Sequence, residues 1–593
     1  MLAGLLAVSL AVFFPLLLAT GPPERTAQDH PNVVLILTDD QGLGDVRSHG
    51  NPDIDTPAMD QLAQEGVRFE RFFVSPVCAP TRASLLTGRY ALRTGTHGVT
   101  RGYETMRSEE VTLAEAFRQA GYATGFFGKW HNGAHYPHDP NGQGFDEALG
   151  FSAGHWNNYF DTPLVHNGRR VETQGYITDV LTDAAITFIE EHRDAPFFVY
   201  LPYNAPHSPF QVPDRYFDKY KARGFDDKNA SVYGMVENLD DNIGHLLDEL
   251  DAMGLRENTL VVFLTDNGPN GGDRYNGDMR GAKASVHEGG VRVPLFIRWP
   301  GRLAPGGVVR RIAAHIDLFP TLLELAEVAM PETAPLDGVS LVPLLRGEEA
   351  GWPDRTLFTH WRLDAGSQPT PGAVRTPRWR AVNTEDQWAL YDMLSDPGQH
   401  TDVATLYPAV TKQLAAVYAA WFADVTQAGF DPVAIPLGHR ERPEVELPGH
   451  EAFLHPAPGE GIRYVGADGW ANDWVTHWTD TDAYPSWPVD VVEDGRYEVT
   501  LLYTCAAANV GIPVRVEVGG QHIDGRITEA YDPGYVFSPD RVLRGEVYEK
   551  PWRPLTLGTV TLTRGRTHLA VRALDRPGAR LMDLKAVRMR RVE

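Results

Sequence analysis

The chain has 593 residues, of which 42% are apolar and 22% charged, and a net charge of −24. That length exceeds a single hydrophobic core and predicts two or three domains, and the composition is that of a globular protein, not a disordered one. The acidic balance argues against nucleic acid as a partner. An anionic substrate therefore needs local positive charge in its pocket, against the overall field.

Residues Met1 to Ala19 are almost wholly apolar and the first charge is Glu24. This reads as a secretory signal over residues 1–21 and an exported, periplasmic or secreted protein. The flank lacks Lys and Arg, so an uncleaved anchor is the alternative, although Pro15 disfavours a spanning helix. No stable membrane association is expected, and no cysteine lies near enough for a lipid anchor. Cys78 and Cys505 are the two cysteines. In an exported chain they could form a disulfide. Their separation favours two free thiols instead, with Cys505 inside a strand.

Asn32 to Thr38 (NVVLILT) is a continuous apolar run, as a buried parallel strand should be. It ends at Asp39-Asp40. Two carboxylates after a buried strand are costly unless paired or bound to a cation, and strand C-terminal ends are where α/β sheets bind ligands. A helix follows from Thr56-Pro57 to about Gly66. At Cys78 another helix begins: Pro80 suits its first turn and Gly88 its end. Cys78 then sits where the helix dipole favours negative charge, with Arg82 one turn away on the same face. Thr112 and Glu115 form a capping box for a helix to Ala120, and Tyr122 to Phe127 is a short strand leading into Gly128-Lys129-Trp130-His131. If the chain stays extended there, Lys129 and His131 point to one side.

Residues 132–176 are polar, aromatic and glycine-rich, a long functional loop expected to shape a pocket, with His155 and Trp156 as substrate contacts. Pro196 to Leu201 is the next buried strand and runs into Ala205-Pro206-His207. The helix from Tyr233 to Met253 places Leu239, Ile243, Leu246, Leu247 and Leu250 on one face. Thr259 to Thr265 (TLVVFLT) repeats the form of the first strand and ends in Asp266-Asn267. Two similar strands thus each deliver a pair of oxygen ligands. Asp39, Asp40, Asp266 and Asn267 together suit a hard cation, Ca²⁺ or alternatively Mg²⁺, better than zinc. Lys283, His287 and Arg292 follow, then a strand from Val291 to Arg298 and a helix from Asp317 to Val328. At least five apolar runs alternating with helices argue a mainly parallel α/β sheet.

Ala428 to His450 contains several prolines and reads as a linker. Beyond it, Tyr497, Val499, Leu501 and Tyr503, and then Val514, Val516 and Val518, alternate with polar residues as in an all-β sandwich. Trp470, Trp474, Trp478 and Trp487 cluster at its start, either as sugar-stacking faces or as buried packing.

The run Cys78 to Arg89, CAPTRASLLTGR, resembles the signature C-x-P-S-R-x-x-x-L-T-G-R of the type I, formylglycine-dependent sulfatases, with Thr81 in place of the commoner serine. Gly128 to Gly133 is similar to that family's G-K-W-H-x-G, with Asn132 replacing leucine. Gly281 to Pro294 resembles its G-x-K-x-x-x-x-E-G-G-x-R-V-P, and Pro206-His207 its Pro-His pair. The likeness spans about Asn32 to Thr426. It implies an alkaline-phosphatase-like α/β catalytic domain over 30–350, a small antiparallel subdomain over 351–427, a linker at 428–450 and a carbohydrate-binding-like sandwich over 451–593.

The resemblance also implies hydrolysis of a sulfate ester on a sulfated carbohydrate. Cys78 would be oxidised to formylglycine by a formylglycine-generating or equivalent maturase, and its hydrate would attack sulfur beside the cation. Asp39, Asp40, Asp266, Asn267 and the modified Cys78 would be the metal ligands. Arg82, Lys129, His207 and Lys283 would bind sulfate, and His131 would orient or deprotonate the second hydroxyl. Either Lys283 or His207 would protonate the leaving alcohol. His287 would face substrate and Arg292 would support structure. Alternatives are an arylsulfatase on small esters, a phosphodiesterase or phosphonate monoester hydrolase on the same fold, and an inactive sugar-binding protein. Having both Lys129 and Lys283 favours the sulfatase.

Overall fold

A computed structural model describes residues 30–592 apart from 272, 364–367, 386 and 467–468. The signal expected over 1–21 lies outside them. Among the described residues no helix is long and apolar enough to cross a membrane.

Five strands carry the site: β1 (Asn32–Thr38), β2 (Ala123–Lys129), β3 (Phe197–Pro202), β4 (Thr259–Thr265) and β5 (Leu295–Arg298). In the ten-stranded main sheet they stand in the order β5-β4-β1-β3-β2, parallel except for β5. Every residue of β1 and β4 is buried. Val33, Leu35 and Leu37 enter one apolar cluster while Val34 and Ile36 enter another. A strand covered on both faces needs an unbroken apolar run, and that is what the sequence supplies.

Helix α1 (Cys78–Thr87) ends on Gly88 at φ +70°, a left-handed cap that glycine adopts without strain. Helix α2 (Asp227–Ala252) begins earlier than the apolar periodicity suggested, because Asp226 caps it by accepting from the Asn229 N–H. The expected strand from Val291 to Arg298 is broken. Glu288–Val291 is a helical turn, and Arg292–Val293 pairs in a separate three-stranded sheet. Pro294, which has no N–H to donate, separates it from β5.

Four antiparallel strands between Leu357 and Asp392 form the small subdomain. Helix α3 (Pro408–Val425) lays Leu414, Tyr418 and Phe422 against Val374, Ala381 and Leu390. The last part of the chain is two six-stranded sheets around one apolar core. The stretch expected to be a linker belongs to it: Ile435–Leu437 pairs with Tyr484–Val491, and Glu444–Pro448 pairs with Asp583–Arg591. Trp474, Trp478 and Trp487 are buried, whereas Trp470 is 40% exposed. Both cysteines are free thiols, so no disulfide joins Cys78 to Cys505. Cys505 follows the strand Gly495–Thr504, and burial pushes its thiol up to about 11.

Candidate active site

β1 and β4 pair in register through Thr38 and Thr265. That register sets Asp39-Asp40 beside Asp266-Asn267. The Asp40 N–H donates to Asp266 Oδ1 at 3.1 Å, and Asn267 Nδ2 donates to Asp40 Oδ1 at 2.8 Å. Asp40 holds φ +64°, a left-handed conformation that costs about 1–3 kcal/mol and persists where surrounding contacts enforce it.

Cys78 opens α1, and Arg82, one turn on, is wholly buried. Its guanidinium donates to Asp266 Oδ2 at 2.9 and 3.2 Å and to the Lys129 carbonyl at 2.6 Å. Lys129, at the end of β2, places Nζ 2.5 Å from Asp39 Oδ2. Lys283 Nζ lies 2.7 Å from Asp40 Oδ1, and His207 Nε2 lies 3.6 Å from Asp40 Oδ2. His207 Nδ1 meets the Ser208 carbonyl at 2.7 Å. A carbonyl only accepts, so Nδ1 carries the hydrogen.

The chain does not stay extended after β2. His131 adopts φ +59° and departs from the alternation that would have placed it on the side of Lys129. Its Nε2 donates to the Val99 carbonyl at 3.0 Å. Burial, with Lys129 nearby, holds the ring well below its usual pKa, so the imidazole is neutral. Its buried Nδ1 has no partner among the described residues and keeps a free lone pair.

Burial raises Asp39, but Lys129, His207, Arg82 and Lys283 outweigh it and hold the carboxyl far below the usual range. Burial and then Asp39 push Asp266 well up, against Arg82. Asp39, Asp40 and Asp266 thus share the floor with Arg82, Lys129, Lys283 and His207. Asp39 Oδ1 and Asn267 Oδ1 are buried acceptors without a partner among the described residues, each costing about 1–3 kcal/mol if left so. Ligand atoms of Asp39, Cys78 and Asp266 lie within 4.8 Å of one another, as do those of Asp39, Asp40 and His207. Orphaned oxygens in an oxygen-rich cluster of carboxylates fit a hard divalent cation.

A cavity of about 450 Å³ opens over Cys78, within the range of small-ligand pockets. His131, His155, His207 and Lys283 line it. Arg82 and Lys129, expected on the sulfate, do not: Arg82 donates to Asp266 and to the Lys129 carbonyl, Lys129 Nζ to Asp39, and both side chains are fully buried. In this structure their partners are the carboxylates of the floor. Trp156 stacks on Phe151 and donates to Thr162 Oγ1. His287 meets Gln399 at 2.8 Å, and burial beside Arg280 and Arg380 drives it down to about 4. Neither lines the cavity, so of the three expected substrate contacts His155 alone does. Arg292 donates to the Glu70 carbonyl, a structural role as expected. Sequence reasoning missed Ser208, Lys228 and residues 543–546, which also line the cavity. A pattern-free loop in another domain gives no signal of where it docks.

Strand-end carboxylates, a helix opening on cysteine and a cavity above them define a hydrolase of the α/β sulfatase fold. The Sulfatase family model matches residues 31–328, and the model for the C-terminal part of N-sulphoglucosamine sulphohydrolase matches 282–418. Mouse N-acetylgalactosamine-6-sulfatase is 33% identical over 431 residues, 66% of this chain and 79% of that one. Human arylsulfatase A is 34% identical over 423 residues, 62% of this chain and 78% of that one. The crystal structure of Ps i-CgsB in complex with k-i-k-neocarrahexaose aligns with TM-score 0.64 and 31% identity, over 68% of this chain and 95% of that one. The chain belongs to the sulfatase family, and it is a sulfatase.

Proposed function

We propose that the protein removes sulfate from a sulfated carbohydrate, using Cys78 converted to formylglycine and a divalent cation, Ca²⁺ in the first instance. The observation that carries this reading is the pair of orphaned oxygens, Asp39 Oδ1 and Asn267 Oδ1, in the cluster beside Cys78. The sugar substrate is supported by the relatives: one is an N-acetylgalactosamine-6-sulfatase and another was solved with neocarrahexaose.

Asp39, Asp40, Asp266 and Asn267 would hold the cation, which supplies Lewis-acid polarisation at the floor. The formylglycine, made by a maturase, supplies the nucleophile. The chain's own groups do the rest. Burial disfavours the charged form of Lys283, but Asp40 more than offsets this and keeps the ammonium charged, facing the sulfate oxygens and countering charge that develops in transfer. His131 Nδ1 accepts a proton, since its ring is neutral and Nε2 is fixed on Val99. Lys283 Nζ and His207 Nε2 both stand against Asp40 on the cavity wall and would be the groups to protonate the leaving oxygen, His207 only with both ring nitrogens protonated, since Nδ1 already carries a hydrogen.

The reading is tested by the mass of the peptide carrying Cys78 and by parallel turnover of 4-methylumbelliferyl sulfate and phosphate. Conversion of the thiol and at least a hundredfold preference for sulfate are expected. EDTA should abolish turnover and Ca²⁺ restore it. An unconverted Cys78 in active enzyme, or a preference for phosphate, overturns the proposal.

A further inference from the structure

The sandwich lies beyond both family models, which end at residues 328 and 418, yet it reaches the cavity over Cys78. The loop between strands Gln521–Arg526 and Arg553–Leu562 has no regular secondary structure. Loops of this length inside a compact domain are usually functional. Several polar contacts, buried or partly buried, pin it to the catalytic domain. Arg544, 8% exposed, donates to the Asn157 carbonyl at 2.6 Å and to Asp540 at 2.7 Å. Gln211 donates to Asp540 Oδ1 at 2.7 Å, and Asn157 to Glu549 at 3.1 Å. Ser208, next to His207, donates to Glu546 Oε1.

Two groups are left over from this fastening. Glu546 lines the cavity, and its Oε2 is buried with no partner among the described residues. Trp470 also lines the cavity, and its indole is 40% exposed although the other three tryptophans of its cluster are buried in the sandwich. An open aromatic face and an unsatisfied acceptor facing one cavity are what a sugar ring requires: its C–H face packs on the indole and a hydroxyl donates to the carboxylate.

We propose that the sandwich supplies the sugar subsite of the active site, with Trp470 as the stacking face and Glu546 as the acceptor for a hydroxyl of the ring bearing the sulfate. The proposal rests on the sulfatase reading. A carboxylate at that place favours a hydroxyl and opposes a second anionic group, so the preferred unit is a neutral sugar with one sulfate. The sandwich is thereby part of the active site, and not a separate targeting module.

The test uses the full-length, converted enzyme. Turnover of N-acetylgalactosamine 6-sulfate and of a carrageenan oligosaccharide sulfate is compared with that of 4-methylumbelliferyl sulfate. Trp470→Ala should lower the sugar-to-aryl ratio of kcat/KM by about tenfold or more, mainly through KM. Glu546→Ala should do the same. Glu546→Gln, which keeps a carbonyl acceptor, should retain most of the ratio and improve turnover of a disulfated sugar relative to a monosulfated one. Ratios within twofold of wild type for Trp470→Ala and Glu546→Ala overturn the subsite. Wild-type turnover of the aryl ester with neither sugar also overturns it while leaving the sulfatase reading standing. Turnover of none of the three overturns that reading itself, and the subsite with it.

Discussion

Asp39 and Asp266 face the same buried space, and Arg82 reaches both, at 3.6 and 2.9 Å. Arg82→Met would leave two buried carboxylates short of a cation, and Asp266 short of its donors as well. Loss of one partner from a buried ion pair costs about 3–5 kcal/mol, and urea denaturation should show a loss of that order. Lys283 is partly exposed, at 20% of its side chain, and its work is electrostatic. Lys283→Ala should lower kcat about 10²–10³-fold with a smaller change in stability, read by steady-state kinetics beside the same denaturation curve. The carboxylate pairs were legible in the sequence because each ends an apolar run. The partners of Arg82 and Lys129 were not, since Asp266 and Asp39 lie 184 and 90 residues away in sequence. A motif names the residue types but not which of them consume one another's hydrogen bonds. The same limit applies to His287, whose partner Gln399 is 112 residues on.

The elements that sequence periodicity identified are the long apolar ones, β1, β3, β4 and α2. Those it misread are short. Ile435–Leu437 and Glu444–Pro448 sit among prolines and carry too few residues to show alternation. They become strands because a sheet edge accepts them. A titrating cluster sits where the catalytic domain meets the sandwich, with Glu104 and His135 on one side and Glu451 on the other. Glu104 is raised to about 8, first by burial and then by Glu451, against His135 and Arg101. In the unfolded chain it titrates near 4.5. The folded protein therefore holds the extra proton between about pH 4.5 and 8. The contribution of this group to stability is present below 4.5, falls as pH rises through that window, and is flat above it. Glu104→Gln should gain stability over wild type as pH rises from 5 to 8, seen as a widening difference in Tm. In the sandwich, Trp487 is completely buried, and Trp487→Ala should cost about 3–5 kcal/mol.

At the scale of the whole molecule, a chain of net charge −24 gathers Lys283, His207, Lys228 and Arg544 around one cavity. The sandwich closes part of that cavity through the contacts of Arg544, Asp540 and Glu549. These contacts should make the two domains unfold together. Scanning calorimetry is expected to show one main transition in the wild type, and Arg544→Ala to split it; two well-separated wild-type transitions would contradict the coupling. The pairing of β1 with β4 also has a bearing on how the protein is made. Asp40 and Asn267 are 227 residues apart, and translation at about 5–20 residues per second leaves roughly ten to fifty seconds between their appearances. For that interval the nascent chain presents an apolar strand with at least one unpaired edge, both of them until Phe197–Pro202 is made, tipped by two carboxylates that have no cation to share. The ion-holding floor is therefore a late product of synthesis, and a chain released before Thr259 carries its first half without the means to complete it.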